Sequence, residues 1–459
     1  MTVAFIKKVR NTRIADEAIP ACFTGKYGTR SAHRYSIRRL VSSRGGAMSQ
    51  PDPDTWRRQV RQWLATVLEP ARAPDSAGAD ADLAVFHNLP QDEERLLLER
   101  CRAYQRARFD AGHQALTLPA DKGGAGLTAA HAAVFAQEES AFEVPPSTEL
   151  ISVTVRLVAM AVSLFGTDGQ RQQYARAFLR TDLLACQLFS EPGAGSDLAA
   201  LRTRARQDGD AWVIDGQKVW TSGAQFADYG LLLARTDPDV VKQAGITAFL
   251  VPMDAPGVEA RPIRQMSGGA SFNEVFLSGV RVPDALRIGR PGQGWEVATT
   301  TLAFERTASG SGNRRKGGTF SDVLALARSL GRTTDPLARQ LLADLYVRAA
   351  LREATVERVA RTSAAGGRPG PEASLTKLMA SELLTRTGQV AAELMGARIT
   401  ADTGEPGTFA WTQHLLGAPG YRLAGGTDQI QRNLIGERVL NLPPEPRTDR
   451  APFSQLPGN

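Results

Sequence analysis

The chain has 459 residues and 49.4 kDa, room for two to four domains. Hydrophobic content of 42% and charged content of 22% are those of an ordinary globular protein, and no apolar run nears the roughly 18 residues of a spanning helix, which excludes a helical membrane span. The net charge of +7 sits in residues 1–47, where ten Lys/Arg face only Asp16 and Glu17; the rest holds 45 Lys/Arg and 46 Asp/Glu, so no nucleic-acid partner is expected.

Residues 1–47 are rich in Arg and Ser and lack the apolar centre of a secretory signal. They read as a basic leader outside the fold, an upstream extension before a start at Met48 in a bacterial cytoplasmic protein. The alternative is a transit peptide, which would place the protein in the mitochondrial matrix. Cys22, Cys101 and Cys186 are odd in number and far apart, so neither a disulfide scaffold nor a zinc site is expected.

Residues 48–183 are predicted to form a helical domain. Trp56, Val60, Trp63, Leu64 and Val67 make one stripe of a helix. A polar break follows at Pro74–Asp82, and Leu96, Leu97, Leu98, Cys101 and Tyr104 begin a second helix. Pro119 and Gly123–Gly126 form a tight connection before helices at Ala129–Phe142 and Ile151–Phe165. Residues 184–293 are predicted to be a small β domain. Ala211–Ile214 and Gln217–Thr221 flank Asp215-Gly216, a hairpin signal. Tyr229–Ala234, Ile246–Val251 and Phe272–Leu277 read as strands, and Val282-Pro283 closes the region. Residues 294–459 return to helix, with Leu341–Val359 and Leu375–Met395 as antiparallel neighbours joined by a loop at Gly366–Pro371.

Four constellations could carry chemistry. Phe189-Ser190-Glu191-Pro192-Gly193-Ala194-Gly195-Ser196-Asp197 offers hydroxyls and glycines that let backbone approach a ligand. Gly216–Ala224 sets Trp220 beside Thr221 and Ser222, suited to the edge of a planar ring. Glu305, after Leu302-Ala303-Phe304, has apolar neighbours that would raise a carboxyl toward a useful general base. Gly425-Gly426-Thr427-Asp428-Gln429 leads into a helix and can present N–H groups. Each has a plainer reading: an ordinary loop, a core tryptophan, a Glu305–Arg306 ion pair or solvated face, a pair of helix caps.

The order and spacing change this balance. Ser190–Asp197, then Gly216–Gly223, then Gly425–Asn433 resemble the motifs of the acyl-CoA dehydrogenase family, as does Pro119 with Gly123-Gly124; the likeness covers about residues 50–445. The resemblance implies an α+β multidomain fold, with an N-terminal helical domain, a middle β-barrel domain and a C-terminal four-helix bundle. It implies FAD as cofactor, an acyl-CoA thioester as substrate, α,β-dehydrogenation to the trans-2-enoyl-CoA with hydride passing to flavin N5, and an electron-transfer flavoprotein as acceptor. Phe189, Ser190, Ser196, Trp220, Thr221, Ser222, Thr427 and Gln429 are then the expected FAD contacts, with Ser196 also toward the substrate. Many members carry their base where this chain has Gly425; the isovaleryl-type and long-chain-type members place it in an earlier Glu-Arg. The resemblance therefore implies Glu305 as base, Arg306 orienting the CoA portion, and the Gly425 N–H donating to the thioester oxygen beside a ribityl hydroxyl of FAD.

Two motifs depart from the family. Its Arg-x-x-Phe-Gly is missing from Ala325–Arg332, and its Gln…Gly-Gly segment reads Glu393-Leu394-Met395-Gly396-Ala397. Both belong to the half of the FAD site that faces a neighbouring subunit. The expected assembly is a homo-oligomer or a heterotetramer with a second subunit of the same family, this chain bearing the base. The rival readings are a non-catalytic partner subunit and an acyl-CoA oxidase or flavin monooxygenase on the same fold.

Overall fold

The computed structural model describes residues 50–71, 83–86, 88–311, 317–364, 371–403, 408–446 and 449–456, with side chains at all of these except 305–311, 360, 363 and 364. The leader, Met48, Cys22, the Pro74–Asp82 break and residues 366–370 of the predicted bundle loop lie outside the described residues.

Helices come first. In α1 (Pro53–Val67), the Asp52 carboxylate accepts from the N–H groups of Asp54 and Thr55, and the predicted stripe buries Trp56, Val60 and Leu64. α2 (Gln91–Asp110) starts five residues before Leu96. Its polar first turn, Asp92-Glu93-Glu94, lies at the positive end of the helix dipole, where acids are stabilising. α3 (Ala129–Glu139) follows, then α4 (Glu149–Ser152), a π-helical stretch (Val153–Val158), α5 (Ala159–Phe165), α6 (Asp168–Gln170), a second π stretch (Arg171–Ala175) and α7 (Arg176–Arg180).

Eight strands build one sheet: β1 (Ala185–Leu188), β2 (Arg204–Asp208), β3 (Ala211–Ser222), β4 (Tyr229–Arg235), β5 (Ile246–Pro252), β6 (Val258–Ile263), β7 (Phe272–Pro283) and β8 (Arg287–Ile288). The order is β6-β7-β3-β2-β4-β5-β8, with β1 parallel to β4. The predicted hairpin at Asp215-Gly216 is absent. β3 runs straight through both residues with a register shift against β7. A Cβ on Gly216 would lie 2.7 Å from the Thr203 Cα, so the glycine serves a close approach between strands rather than a turn. The real turn is at Gly209 (φ 64°), between β2 and β3. β7 also runs past Leu277, so Val282-Pro283 is strand and β8 lies beyond it.

The C-terminal helices are α8 (Gly294–Ser311), α9 (Phe320–Ser329), α10 (Pro336–Ala364), α11 (Ala373–Met395), α12 (Ala410–Leu423) and α13 (Asp428–Arg438). One buried cluster joins α2, the helical run of residues 149–180, the sheet and the start of α8. A second fills the space between α9, α10, α11 and Trp411. Helices, sheet, helices is the fold class expected from the sequence. Among the described residues, no helix is long and apolar enough to cross a membrane.

Candidate active site

β1 delivers the chain to Phe189, which is buried, and then to a short loop closed by paired backbone hydrogen bonds between Glu191 and Ala194. Three successive residues of this loop are tied to β3. Lys218 Nζ donates to the Phe189 carbonyl at 3.0 Å and to Glu191 Oε1 at 2.8 Å, and the Val219 N–H donates to the Ser190 carbonyl at 2.9 Å. The Glu191 carboxylate also accepts from the N–H groups of Arg202 and Thr203. Burial works against its charge, but Lys218 and these donors hold its pKa below the usual range; burial pushes Lys218 down to about 8, with Glu191 opposing. The first two motifs are thus one rigid unit. Ser190 is half-buried and Ser196 is exposed. A Cβ on Gly193 or Gly195 would meet no protein atom, so packing does not call for either glycine.

Beyond Lys218 the β3–β7 register slips, and Trp220 leaves the ladder at φ 62°, rare for a bulky side chain. Trp220 is 61% exposed, with the Phe272 ring edge-on at 6.3 Å. Thr221 is only 1% exposed; its carbonyl accepts from Asn273 Nδ2, while its hydroxyl has no protein partner among the described residues. Ser222 is half-buried. A Cβ on Gly223 would press on Leu150 at 2.9 Å, so the start of the 149–165 helical run lies directly against this motif. Phe86 stacks on Tyr421 at 5.1 Å and meets Phe272 at 5.3 Å, while Tyr421 Oη donates to Glu149 Oε1 at 3.0 Å. Residues from all three regions therefore meet beside Trp220.

The C-terminal motif is a turn between α12 and α13. Gly425 (φ 65°) and Gly426 (φ 86°) both need the left-handed region. Thr427 caps α13 by accepting from the Ile430 N–H at 3.2 Å, which leaves its own hydroxyl proton free to donate outward. Gln431 Nε2 donates to the carbonyls of Gly425 and Gly426 at 3.0 and 3.2 Å, so both carbonyls of the turn are engaged within the protein. Asp428 is buried and accepts from Lys377, Ser381 and Arg422. Gln429 is exposed.

Glu305 and Arg306 lie on α8, but their side chains are outside the described residues. The α8 backbone packs on α11, as does α13, so the helix carrying Glu305 and the Gly425 turn share one support. Of the residues predicted from sequence, Phe189, Ser190, Trp220, Thr221 and Ser222 are brought together by the stitched loop and strand; Gly425, Thr427 and Gln429 belong to the separate α12–α13 turn. Sequence reasoning missed the supporting set of Lys218, Asn273, Lys377, Asp428 and Gln431. A signal did exist: Lys218 lies within a predicted strand just before Val219 and Trp220, and Glu191, a carboxylate able to pair with it, lies in the neighbouring motif.

These features suit a flavin. An orphaned buried hydroxyl, an exposed indole held in strained backbone and an open backbone face at Gly193 and Gly195 fit a flat, heteroatom-rich group with a polar tail. Comparison with known proteins agrees. Models of the acyl-CoA dehydrogenase N-terminal, middle and C-terminal domains match residues 51–182, 186–280 and 292–440. Acyl-CoA dehydrogenase IpdE1 of Mycobacterium tuberculosis is 36% identical over 405 residues, 86% of this chain and 99% of that one. Human mitochondrial short-chain specific acyl-CoA dehydrogenase is 29% identical over 337 residues, 72% of this chain and 80% of that one. Among solved structures, the Tcur3481-Tcur3483 steroid ACAD matches with a TM-score of 0.68 at 28% identity, over 87% of this chain and 100% of that one. The ChsE4-ChsE5 complex of Mycobacterium tuberculosis matches with a TM-score of 0.64, also at 28% identity, over 87% of this chain and 100% of that one. With its three domains, motif geometry and relatives in agreement, the chain belongs to the acyl-CoA dehydrogenase family and is an FAD-dependent oxidoreductase.

Proposed function

We propose that this chain converts an acyl-CoA thioester to the trans-2-enoyl-CoA, with Glu305 removing the α-proton. The observation that carries this reading is the stitched pair of motifs, which offers the orphaned Thr221 hydroxyl and the strained Trp220 to a ligand at the meeting of all three regions. Phe189, Ser190, Ser196, Trp220, Thr221, Ser222, Thr427 and Gln429 are the residues we assign to FAD. Bound FAD supplies the acceptor for the hydride leaving the β-carbon. Ser196 and Arg306 hold the CoA portion. The Gly425 N–H donates to the thioester oxygen, which stabilises the charge that develops there as the α-proton leaves. Gly425 has no side chain to act as base, and α8 shares its α11 support, which favours Glu305. We assign the basic leader to 1–47 and the three domains to 48–183, 184–293 and 294–459.

A Glu305→Gln chain should stay yellow, bind acyl-CoA and bleach about 10²–10⁴-fold more slowly in stopped flow. Bleaching within about threefold of the parent rate, far inside that range, removes Glu305 from the role. Moving the carboxylate, with Glu305→Gly and Gly425→Glu together, should restore part of the rate with a changed acyl preference.

The missing Arg-x-x-Phe-Gly motif favours a heterotetramer, and two similar solved structures carry paired names, Tcur3481-Tcur3483 and ChsE4-ChsE5. We infer a second family subunit as partner and an electron-transfer flavoprotein as acceptor. The name steroid ACAD puts steroid-derived acyl-CoA thioesters first in a substrate screen. Expressed alone, the chain should hold FAD substoichiometrically; full occupancy in a homo-oligomer overturns the heteromeric reading.

A further inference from the structure

After α13 the chain returns to the middle domain. Pro452 forms a β-bridge with Val241, the Phe453 and Ser454 N–H groups donate to the carbonyls of Val240 and Pro238, and Ser454 Oγ donates to Asp239. This places two tail side chains on two buried cations. The Phe453 ring covers the Arg235 guanidinium with Cζ 3.6 Å from its centroid, and Asp449 meets Lys242 Nζ at 2.6 Å.

Both cations hold the segment that leaves the Ser190–Asp197 loop. Arg235 donates to the carbonyls of Ala199 at 2.6 Å, Leu201 at 3.2 Å and Lys242 at 2.9 Å. It is 4% exposed and forms no salt bridge among the described residues; the Glu191 carboxylate favours its charge from a distance, and the Phe453 face and three carbonyls make its direct contacts. Lys242 grips both oxygens of Asp197, at 2.9 and 2.8 Å. The loop is therefore held from inside by Lys218–Glu191 and from outside by Arg235 and Lys242, and the tail completes only the outer hold.

We propose that Phe453 and Asp449 are positioning residues: the C-terminal tail is a strap that fixes the Ser190–Leu201 loop and thereby sets the affinity of the site for its flavin. The strap itself stands on these contacts; its effect on affinity rests on the flavin reading of the loop. A buried cation without its π face should loosen the carbonyls it organises, while leaving Glu305 and the Gly425 turn untouched.

The test uses the full chain with Phe453→Leu, Phe453→Trp, Asp449→Asn and Asp449→Glu, read by hydrogen exchange and by FAD titration through flavin fluorescence. Phe453→Leu keeps apolar volume but loses the π face. It should speed exchange at residues 195–203 without FAD present, and weaken FAD binding by about tenfold. Phe453→Trp and Asp449→Glu should keep both near the parent, and Asp449→Asn should speed exchange and weaken FAD binding less than Phe453→Leu, because Asp197 still pairs with Lys242. Unchanged exchange in Phe453→Leu overturns the strap. Faster exchange with FAD affinity equal to the parent overturns the positioning role. A parent chain that takes no FAD either alone or with its second family subunit sinks the flavin reading of the loop, and the exchange result then decides the strap by itself.

Discussion

Two glycine-bearing turns in this molecule each hide a carboxylate, and they stabilise it differently. Glu191, in the middle domain, is satisfied by backbone N–H groups of Arg202 and Thr203 and by Lys218, which is fully buried. Asp428, in the C-terminal helices, is satisfied by side chains alone from other elements: Lys377 and Ser381 on α11, and Arg422 on α12, whose side chain is 45% exposed. The first turn is locked by one domain's own strands. The second depends on how three helices dock, and one of its restraints can swing into water. The middle-domain turn is therefore the rigid one and the C-terminal turn the adjustable one.

Breaking the rigid side should cost most. Lys218→Met strands Glu191 in an apolar interior and should lose about 3–5 kcal/mol in chemical denaturation, along with flavin content. A loss below 1 kcal/mol would mean that the backbone donors suffice and the contrast is wrong.

A third region sharpens the contrast because its buried polar group has no charge partner. His113 lies among Trp56, Trp63 and Phe135 with its Nδ1 unpaired among the described residues, and burial, helped by Arg108, lowers its pKa to about 4. Between pH 6.5 and 4 the unfolded chain binds a proton that the folded chain refuses, so stability falls as pH drops through that window, by about 3 kcal/mol at most. His113→Phe should flatten this part of the stability–pH curve. If the slope persists, another group causes it.

The two carboxylates act lower on the scale. Glu191 and Asp428 both titrate below their ordinary values despite burial, through their bonded partners. Their contribution is complete above the unfolded carboxylate range and is lost as pH falls through the lowered folded values. Glu191→Gln should therefore remove part of the acid-side loss while leaving the His113 window intact. An unchanged acid limb would show that the Glu191 pair does not carry it.

The adjustable side should cost least. Arg422→Gln should lose under about 1 kcal/mol, because its partner keeps Lys377 and Ser381 and the arginine is already half in solvent. A loss matching Lys218→Met would erase the distinction between the turns. Removing residues 1–47, whose basic and polar composition reads as a leader in the sequence, should change neither melting temperature nor flavin content.

The order of regions and the positions of the motifs were legible in the chain because they rest on local rules. The Trp56–Val60–Leu64 stripe, the strand runs and the glycines at 425 and 426 each announce their backbone within a few residues. Wherever packing between distant segments decided, the same rules failed. Asp215-Gly216 has the chemistry of a hairpin, yet Thr203 presses against Gly216 and makes it a bulge in a continuous strand. Lys218 and Trp220 invert the usual assignment, the lysine going in and the indole out, because a carboxylate waits inside and the β3–β7 register slips between them. The hold of Phe453 on Arg235 spans more than two hundred residues of chain, and no local pattern foretells it. Propensity and periodicity act over one or two turns of chain, whereas the desolvation of a buried charge is settled only when its partners arrive from elsewhere in the fold.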